Sequence, residues 1–237
     1  MNRTLLLGLA IFTLGGCGSA VGGDDAFGRR VRDYLMAHPE VIQQALQKQE
    51  ADAETAIRTR AREQLPRLRA ALERDPRDFV ANPQGKVTVT EFYDYRCPHC
   101  VNIAPKITAL VRANPNIRFV FKETPIFGAT SQHAARAALA VKAAGGDYLG
   151  VYETLMAAHG LDDAMIDQIA VAKGARAADL APTSAVNKQL ADVAAIFDAL
   201  KLDGTPAFVV GDSLVFGEDL PALSSAIEKM GRASPKS

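Results

Sequence analysis

Two cysteines stand three residues apart in 91-EFYDYRCPHC-100, with Pro98 and His99 between them. Sulfur at that spacing can ligate a metal, anchor a haem or cycle between dithiol and disulfide. A structural zinc site needs a second ligand pair. The one other cysteine is Cys17, and the remaining histidines, His38, His133 and His159, are scattered. Haem attachment needs a histidine directly after the second cysteine, where Val101 stands. An iron–sulfur cluster lacks its ligand count. Redox exchange needs only the pair itself.

The flanking residues favour that last chemistry. The run 87-VTVTEFYDY-95 is β-branched and then aromatic, which predicts a buried strand. Residues 97–113 read as a helix with Pro105 inside it, a residue expected to bend it. Cys97 then sits at a helix N-terminus, where unpaired N–H groups and the helix dipole favour a thiolate. A thiolate is the attacking and leaving species in disulfide exchange. Cys97 is therefore expected to be the exposed nucleophile, and Cys100, one turn further in, the buried resolving thiol. Pro98 suits the first helical turn. His99 is positioned to stabilise the Cys97 thiolate by hydrogen bond or charge.

The surrounding chain must hold that strand–helix junction. It has 237 residues, 48% apolar and 23% charged, with a formal net charge of zero. That is a soluble globular mix with no sign of nucleic-acid binding. The start, MNRTLLLGLAIFTLGGCGSA, has Arg3 before an apolar run of signal-peptide length. Leu14-Gly15-Gly16-Cys17 resembles a lipobox, which would lipidate Cys17 and, with Gly18 next, direct the chain to the outer membrane. Cleavage after Ala20 is the alternative. Residues 1–20 are thus an export segment, and the exported body holds the single pair Cys97–Cys100. A disulfide across so short a loop stabilises little, which leaves a redox role.

Residues 24–75 read as a helical arm. Phe27, Val31, Tyr34 and Leu35, then Val41, Ile42, Ala45 and Leu46, recur at helical spacing around Pro39. From Gln49 to Arg74 the apolar positions Ile57, Ala61, Leu65, Leu68 and Leu72 form only a thin seam. The arm reads as an oligomerisation region through its first stripe, since an apolar helical face must be buried somewhere. Beyond it come a short edge strand at 79–81, the 87–95 strand, the dithiol helix and a second strand, 117-IRFVFKE-123, an order that suggests a parallel βαβ unit. A helical insertion over about 129–201 follows, then a hairpin, 206-PAFVV-210 and 213-SLVFG-217 around Gly211-Asp212, and a last helix.

The segment Phe92-x-Asp94-Tyr95-x-Cys97-Pro98-x-Cys100 resembles the active site of bacterial DsbA-family thiol–disulfide oxidoreductases, and the element order from 79 to 232 resembles that family too. The resemblance implies an α/β, thioredoxin-like fold with a helical insertion, preceded here by the α-helical arm. It implies that Thr205-Pro206 is the cis-proline loop facing the dithiol, with the Thr205 backbone binding an extended substrate chain. It places Glu91 beneath the buried cysteine as an acid that tunes its pKa and relays its proton, with Lys122 as a partner from the neighbouring strand. It calls for no cofactor and no metal. The arm, Arg32-Asp33-Tyr34-Leu35 and His38-Pro39-Glu40-Val41-Ile42, resembles that of ScsC-like proteins, which implies a homo-oligomer with a trimer favoured.

The expected function is formation or isomerisation of disulfides in exported proteins in the periplasm, with recharging by a DsbB-like or DsbD-like membrane partner. Cys-Pro-His-Cys favours oxidation, whereas Thr205 and an oligomerising arm also suit isomerisation; reduction stays open. An envelope chaperone or scaffold, or a carrier of Cu(I) on two thiolates, is the alternative.

Overall fold

The computed structural model describes residues 24–233. The export segment and Cys17 lie outside them. The chain divides into two units between Ala53 and Glu54.

The first unit holds α1 (Asp24–Ala37) and the start of α2 (Pro39–Glu73). Proline has no N–H to lose at a first helical position, so Pro39 opens a new helix where it would break an old one. Phe27, Val31, Tyr34, Ile42 and Leu46 are all exposed. The apolar periodicity of this unit is real, and these side chains stay exposed among the described residues.

The second unit is built on a five-stranded sheet in the order β1-β3-β2-β4-β5. Its strands are β1 (Phe79–Ala81), β2 (Val87–Tyr93), β3 (Ile117–Glu123), β4 (Ala207–Val210) and β5 (Ser213–Phe216). β2 and β3 pair in parallel, joined through α3 (Pro98–Ala113), which runs on through Pro105. The other pairings are antiparallel. Gly211 takes a φ of 56° at the β4–β5 turn, a conformation that costs glycine least. α4 (Ala129–Ala143), α5 (Tyr148–Ala157), α6 (Asp163–Ala172), a 3-10 turn at Ala177–Leu180 and α7 (Ser184–Ala199) form the helical insertion, and α8 (Leu220–Ala233) ends the unit.

Side chains alternate across a strand, so the sheet has two cores. Val89, Tyr93, Phe119 and Phe121 pack with Ile103 and Ile107 of α3, Tyr148 and Tyr152 of α5, and Leu223 of α8. Phe92, Ala207 and Val209 pack with Val193, Ile196 and Phe197 of α7 and with Ala61, Leu65 and Leu72 of α2.

That last group corrects the sequence expectation. The thin seam from Gln49 to Arg74 was read as part of the arm, but Ala61, Leu65 and Leu72 are wholly buried. A narrow stripe suffices because the sheet presents a matching apolar face. Backbone carbonyls at the end of α2 are also taken up by the sheet: Leu72 O by Thr90 Oγ1 at 3.1 Å, and Glu73 O by Arg118 Nη1 at 2.6 Å. The second half of α2 is a layer of the second unit.

Leu65→Ala should lower unfolding free energy by about 2–5 kcal/mol, the usual effect of truncating a buried leucine. Denaturant unfolding measures it, and a loss of under about 0.5 kcal/mol, the range of surface changes, would mean that the helix is not part of this core.

Candidate active site

The turn between β2 and α3 is held by one carboxylate. Asp94 is 1% exposed. Its Oδ1 accepts from Arg96 N at 2.7 Å and Ser131 Oγ at 2.8 Å, and its Oδ2 from Ile126 N at 2.7 Å and Phe127 N at 2.9 Å. The Asp94 carbonyl accepts from Cys97 N at 3.2 Å. Asp94 thereby ties the dithiol turn to the loop after β3 and to α4. Its place in the Phe-x-Asp-Tyr motif was visible in the sequence, but its role as a clamp was not.

Cys97 is the N-cap of α3, with extended backbone (φ −74°, ψ 119°) and Pro98 at the head of the helix. It is only 2% exposed, which corrects the expectation of an open nucleophile. The loop at Thr205-Pro206, whose peptide bond is cis, closes over it. In the thiol form Cys97 Sγ donates to the Thr205 carbonyl at 3.0 Å. Cys97 and Cys100 are not joined here, so the arrangement is that of the dithiol.

The two sulfurs are driven apart electrostatically. Cys97 falls from 9.0 to about 5, chiefly through a hydrogen bond from the Cys100 thiol. Burial opposes that shift, while Thr205 and the backbone N–H groups of Cys100 and His99 add to it. The Thr205 hydroxyl is buried with no hydrogen-bond partner of its own, so it is free to turn toward an anionic sulfur. Cys100, with no exposed surface, is pushed far above the thiol range, first by burial and then by its hydrogen bond to Cys97. One sulfur is thus a stable thiolate at neutral pH, and its neighbour is a proton-bearing thiol.

His99 does not bond to Cys97 through its ring. Nδ1 lies 2.7 Å from Glu218 Oε1, and the side chain is 70% exposed. Asn102 donates to the other Glu218 oxygen. The Glu218 contact raises the His99 pKa first, and the Cys97 charge also raises it. Of the two routes expected for His99, the ring interacts with Cys97 only through charge, and the backbone N–H supplies the hydrogen bond. Glu218 was missed by sequence reading because it comes from 119 residues away.

Beneath the dithiol core, Glu91 is fully buried and raised to about 8, by burial first. Its Oε1 lies 3.4 Å from the Tyr152 hydroxyl. Tyr152 also feels the charge of Cys100. Lys122 does not pair with Glu91, which corrects that expectation. In the register, Phe92 faces Lys122 and Glu91 faces Phe121. Lys122 therefore points to the opposite face, where it is buried against Asp78 and the Ala71 carbonyl.

The residue on the Glu91 face is Glu123, one step along. Its Oε1 accepts from Tyr93 at 2.7 Å, Tyr95 at 3.0 Å and Tyr148 at 2.6 Å. It too is raised to about 8, mainly by burial, and its charge raises that of Glu91. The second oxygen of each carboxyl is buried without a partner. Both acids are therefore largely protonated at neutral pH. The alternation Phe119-x-Phe121-x-Glu123 carried a signal for this residue, but only the register assigns it to the dithiol side.

Residues 88–228 match the family model described as DSBA-like thioredoxin domain, and residues 25–63 match that of the copper resistance protein ScsC N-terminal domain. The thiol:disulfide interchange protein DsbA of Bordetella pertussis is 28% identical over 153 residues, covering 54% of this chain and 64% of that protein. The chain spans less than two thirds of the length of the curated relatives it matches. A thioredoxin-like oxidoreductase from Silicibacter pomeroyi DSS-3 is 37% identical, with a TM-score of 0.64, over 70% of this chain and 99% of that one. A linker-deletion mutant of ScsC from Proteus mirabilis superposes with a TM-score of 0.69 over 92% of this chain and all of that one; at 24% identity the likeness is one of fold.

The thiolate can be followed by its absorbance near 240 nm as pH is varied. Cys97 should ionise with a midpoint near 5. In Thr205→Val, which removes a donor available to the anion, the midpoint should rise by about half a unit to one unit. An unchanged midpoint would remove the Thr205 hydroxyl from the site's electrostatics.

Proposed function

The chain belongs to the DSBA-like thioredoxin domain family, and from that premise we propose that it is a thiol–disulfide oxidoreductase acting on exported proteins in the bacterial cell envelope. The observation that carries this reading is the split between the two sulfurs: Cys97 lowered to about 5, Cys100 raised far above it.

In the oxidising direction, a client thiolate attacks Cys97 Sγ of the Cys97–Cys100 disulfide. The S–S bond breaks and its electron pair leaves on Cys100, whose high pKa makes it take a proton at once. The mixed disulfide is then attacked at the client sulfur by a second client thiolate. Cys97 departs as a thiolate, and the client holds a new disulfide. A leaving thiol of low pKa leaves faster, so the last step is the favoured one. The reverse sequence starts from Cys97 as nucleophile and ends with Cys100 attacking the mixed disulfide. That attack requires Cys100 to lose its proton, and the buried Glu91, with the Tyr152 hydroxyl beside it, is the group we assign to its relay. The Thr205 carbonyl accepts from Cys97 only while that sulfur keeps its proton; once the sulfur is a thiolate or is joined to a client, the carbonyl is the acceptor offered to a client backbone.

We place the protein in the periplasm, exported by residues 1–20 and held at the outer membrane if Cys17 is lipidated. Its dithiol is recharged by a DsbB-like or DsbD-like membrane protein. The exposed face of Phe27, Val31, Tyr34, Ile42 and Leu46 supports self-association, with a trimer as the preferred state. Several dithiols on one assembly would favour reshuffling by holding a client through successive exchanges, and a monomer would favour oxidation.

Cys100→Ala tests the exchange chemistry. With no resolving thiol, Cys97 should accumulate mixed disulfides with envelope proteins, visible as adducts that reductant collapses and that Cys97→Ser abolishes. A Cys100→Ala protein that forms no adducts would leave a binding scaffold as the better description.

A further inference from the structure

A cavity of about 530 Å³, whose lining includes neither cysteine, is walled by α7, α4 and the loop after β3. Leu190, Ala194 and Phe197, spaced along one face of α7, give it an apolar wall. Arg136 enters from α4. Its Nε is buried without a hydrogen-bond partner, and no carboxylate among the described residues forms an ion pair with it. A guanidinium partly removed from water and left unpaired is costly. An incoming carboxylate would offset that cost and find a fork of donors shaped for it. Asp198 also lines the cavity, which disfavours a ligand carrying several negative charges.

The loop that lines the cavity is tied to the dithiol turn. Ile126 lines it and is 46% exposed, and the adjoining Phe127 is 44% exposed. Both backbone N–H groups of this pair are held by Asp94, and Arg96, the residue before Cys97, donates to Phe127 O at 2.9 Å. An exposed apolar pair thus bridges the active-site turn and a cavity with one unpaired cation.

We propose that this cavity is a docking site for client polypeptide, taking an apolar side chain beside a single acidic one while the client's cysteine is joined to Cys97. The hydrogen bonds that tie its lining loop to the dithiol turn and the charge complementarity of Arg136 favour an extended segment of the client as occupant. The inference rests on the exchange reading above and adds to it a preference among clients.

Synthetic cysteine peptides test it. Each carries a Leu-Leu pair next to either Glu or Gln, set about three to eight residues from the cysteine so that an extended chain can span the interval. Rates with the disulfide form of the full chain are taken relative to the same protein's oxidation of dithiothreitol. At the best offset the wild type should oxidise the Glu peptide with a kcat/KM about ten-fold above its Gln twin, the effect of one partly desolvated charge pair. Arg136→Gln should erase that preference, and Arg136→Lys should keep part of it. Ala194→Phe, which adds a ring to the cavity from a solvent-facing helix position, should raise KM for both peptides about three-fold or more with little change in kcat. A Glu preference that survives Arg136→Gln, a KM untouched by Ala194→Phe, or no Glu preference at any offset would overturn the docking site while leaving exchange intact. A wild-type protein unable to oxidise dithiothreitol would remove the exchange reading, and the docking site with it.

Discussion

A sulfur kept anionic while nearly out of water is the constraint around which the second unit is arranged. Burial alone would push Cys97 toward the neutral thiol. It is overcome by donors packed round one atom: the Cys100 thiol, the first N–H groups of α3, and Thr205 from the loop before β4. Each comes from a different point in the chain. The parallel β2–α3–β3 unit supplies the helix terminus, the hairpin brings the Thr205-Pro206 loop across, and Asp94 fixes the turn between them. A single misplaced element would leave the thiolate with too few donors, and its pKa would climb back.

The sheet separates two kinds of buried charge. On the dithiol side, Glu91 and Glu123 sit among Tyr93, Tyr95, Tyr148 and Tyr152 with no cation paired to them among the described residues, so burial keeps both acids largely protonated. On the other side, Lys122 is matched by Asp78 and bound to the end of α2, where it secures a structural layer. The period-two alternation of β3 sends Lys122 and Glu123, adjacent in sequence, to opposite tasks. Burial keeps those acids protonated because the cation that would have ionised them faces away.

Much of the fold was legible because it is locally encoded. β-Branched and aromatic runs bounded by turn residues marked β2 and β3, Pro98 marked the head of α3, and Gly211 marked the hairpin. The dithiol was legible from two cysteines and the ligands they lack. What escaped depends on distant partners: the burial of Leu65 and Leu72 under the sheet, the capture of the His99 ring by Glu218, the closure of Cys97 by Thr205, and the register that puts Glu123 in place of Lys122. In each case the residue type was visible and its partner was not, since pairing across the sheet is set by tertiary packing.

The central claim is that the folded dithiol, through the Cys97 thiolate, is more stable than the folded disulfide. The ionisation of Cys97 is depressed from 9.0 to about 5 on folding. Its stabilisation is full above the unfolded pKa, declines as pH falls, and is lost below about 5. The disulfide form has no such group, and its four-residue loop gives little entropy in return. Thermal unfolding of the two forms side by side at pH 7 tests this most directly. The account predicts that the reduced protein melts at the higher temperature and that the gap narrows as the pH is lowered toward 5; a disulfide form that melts higher at pH 7 would contradict it.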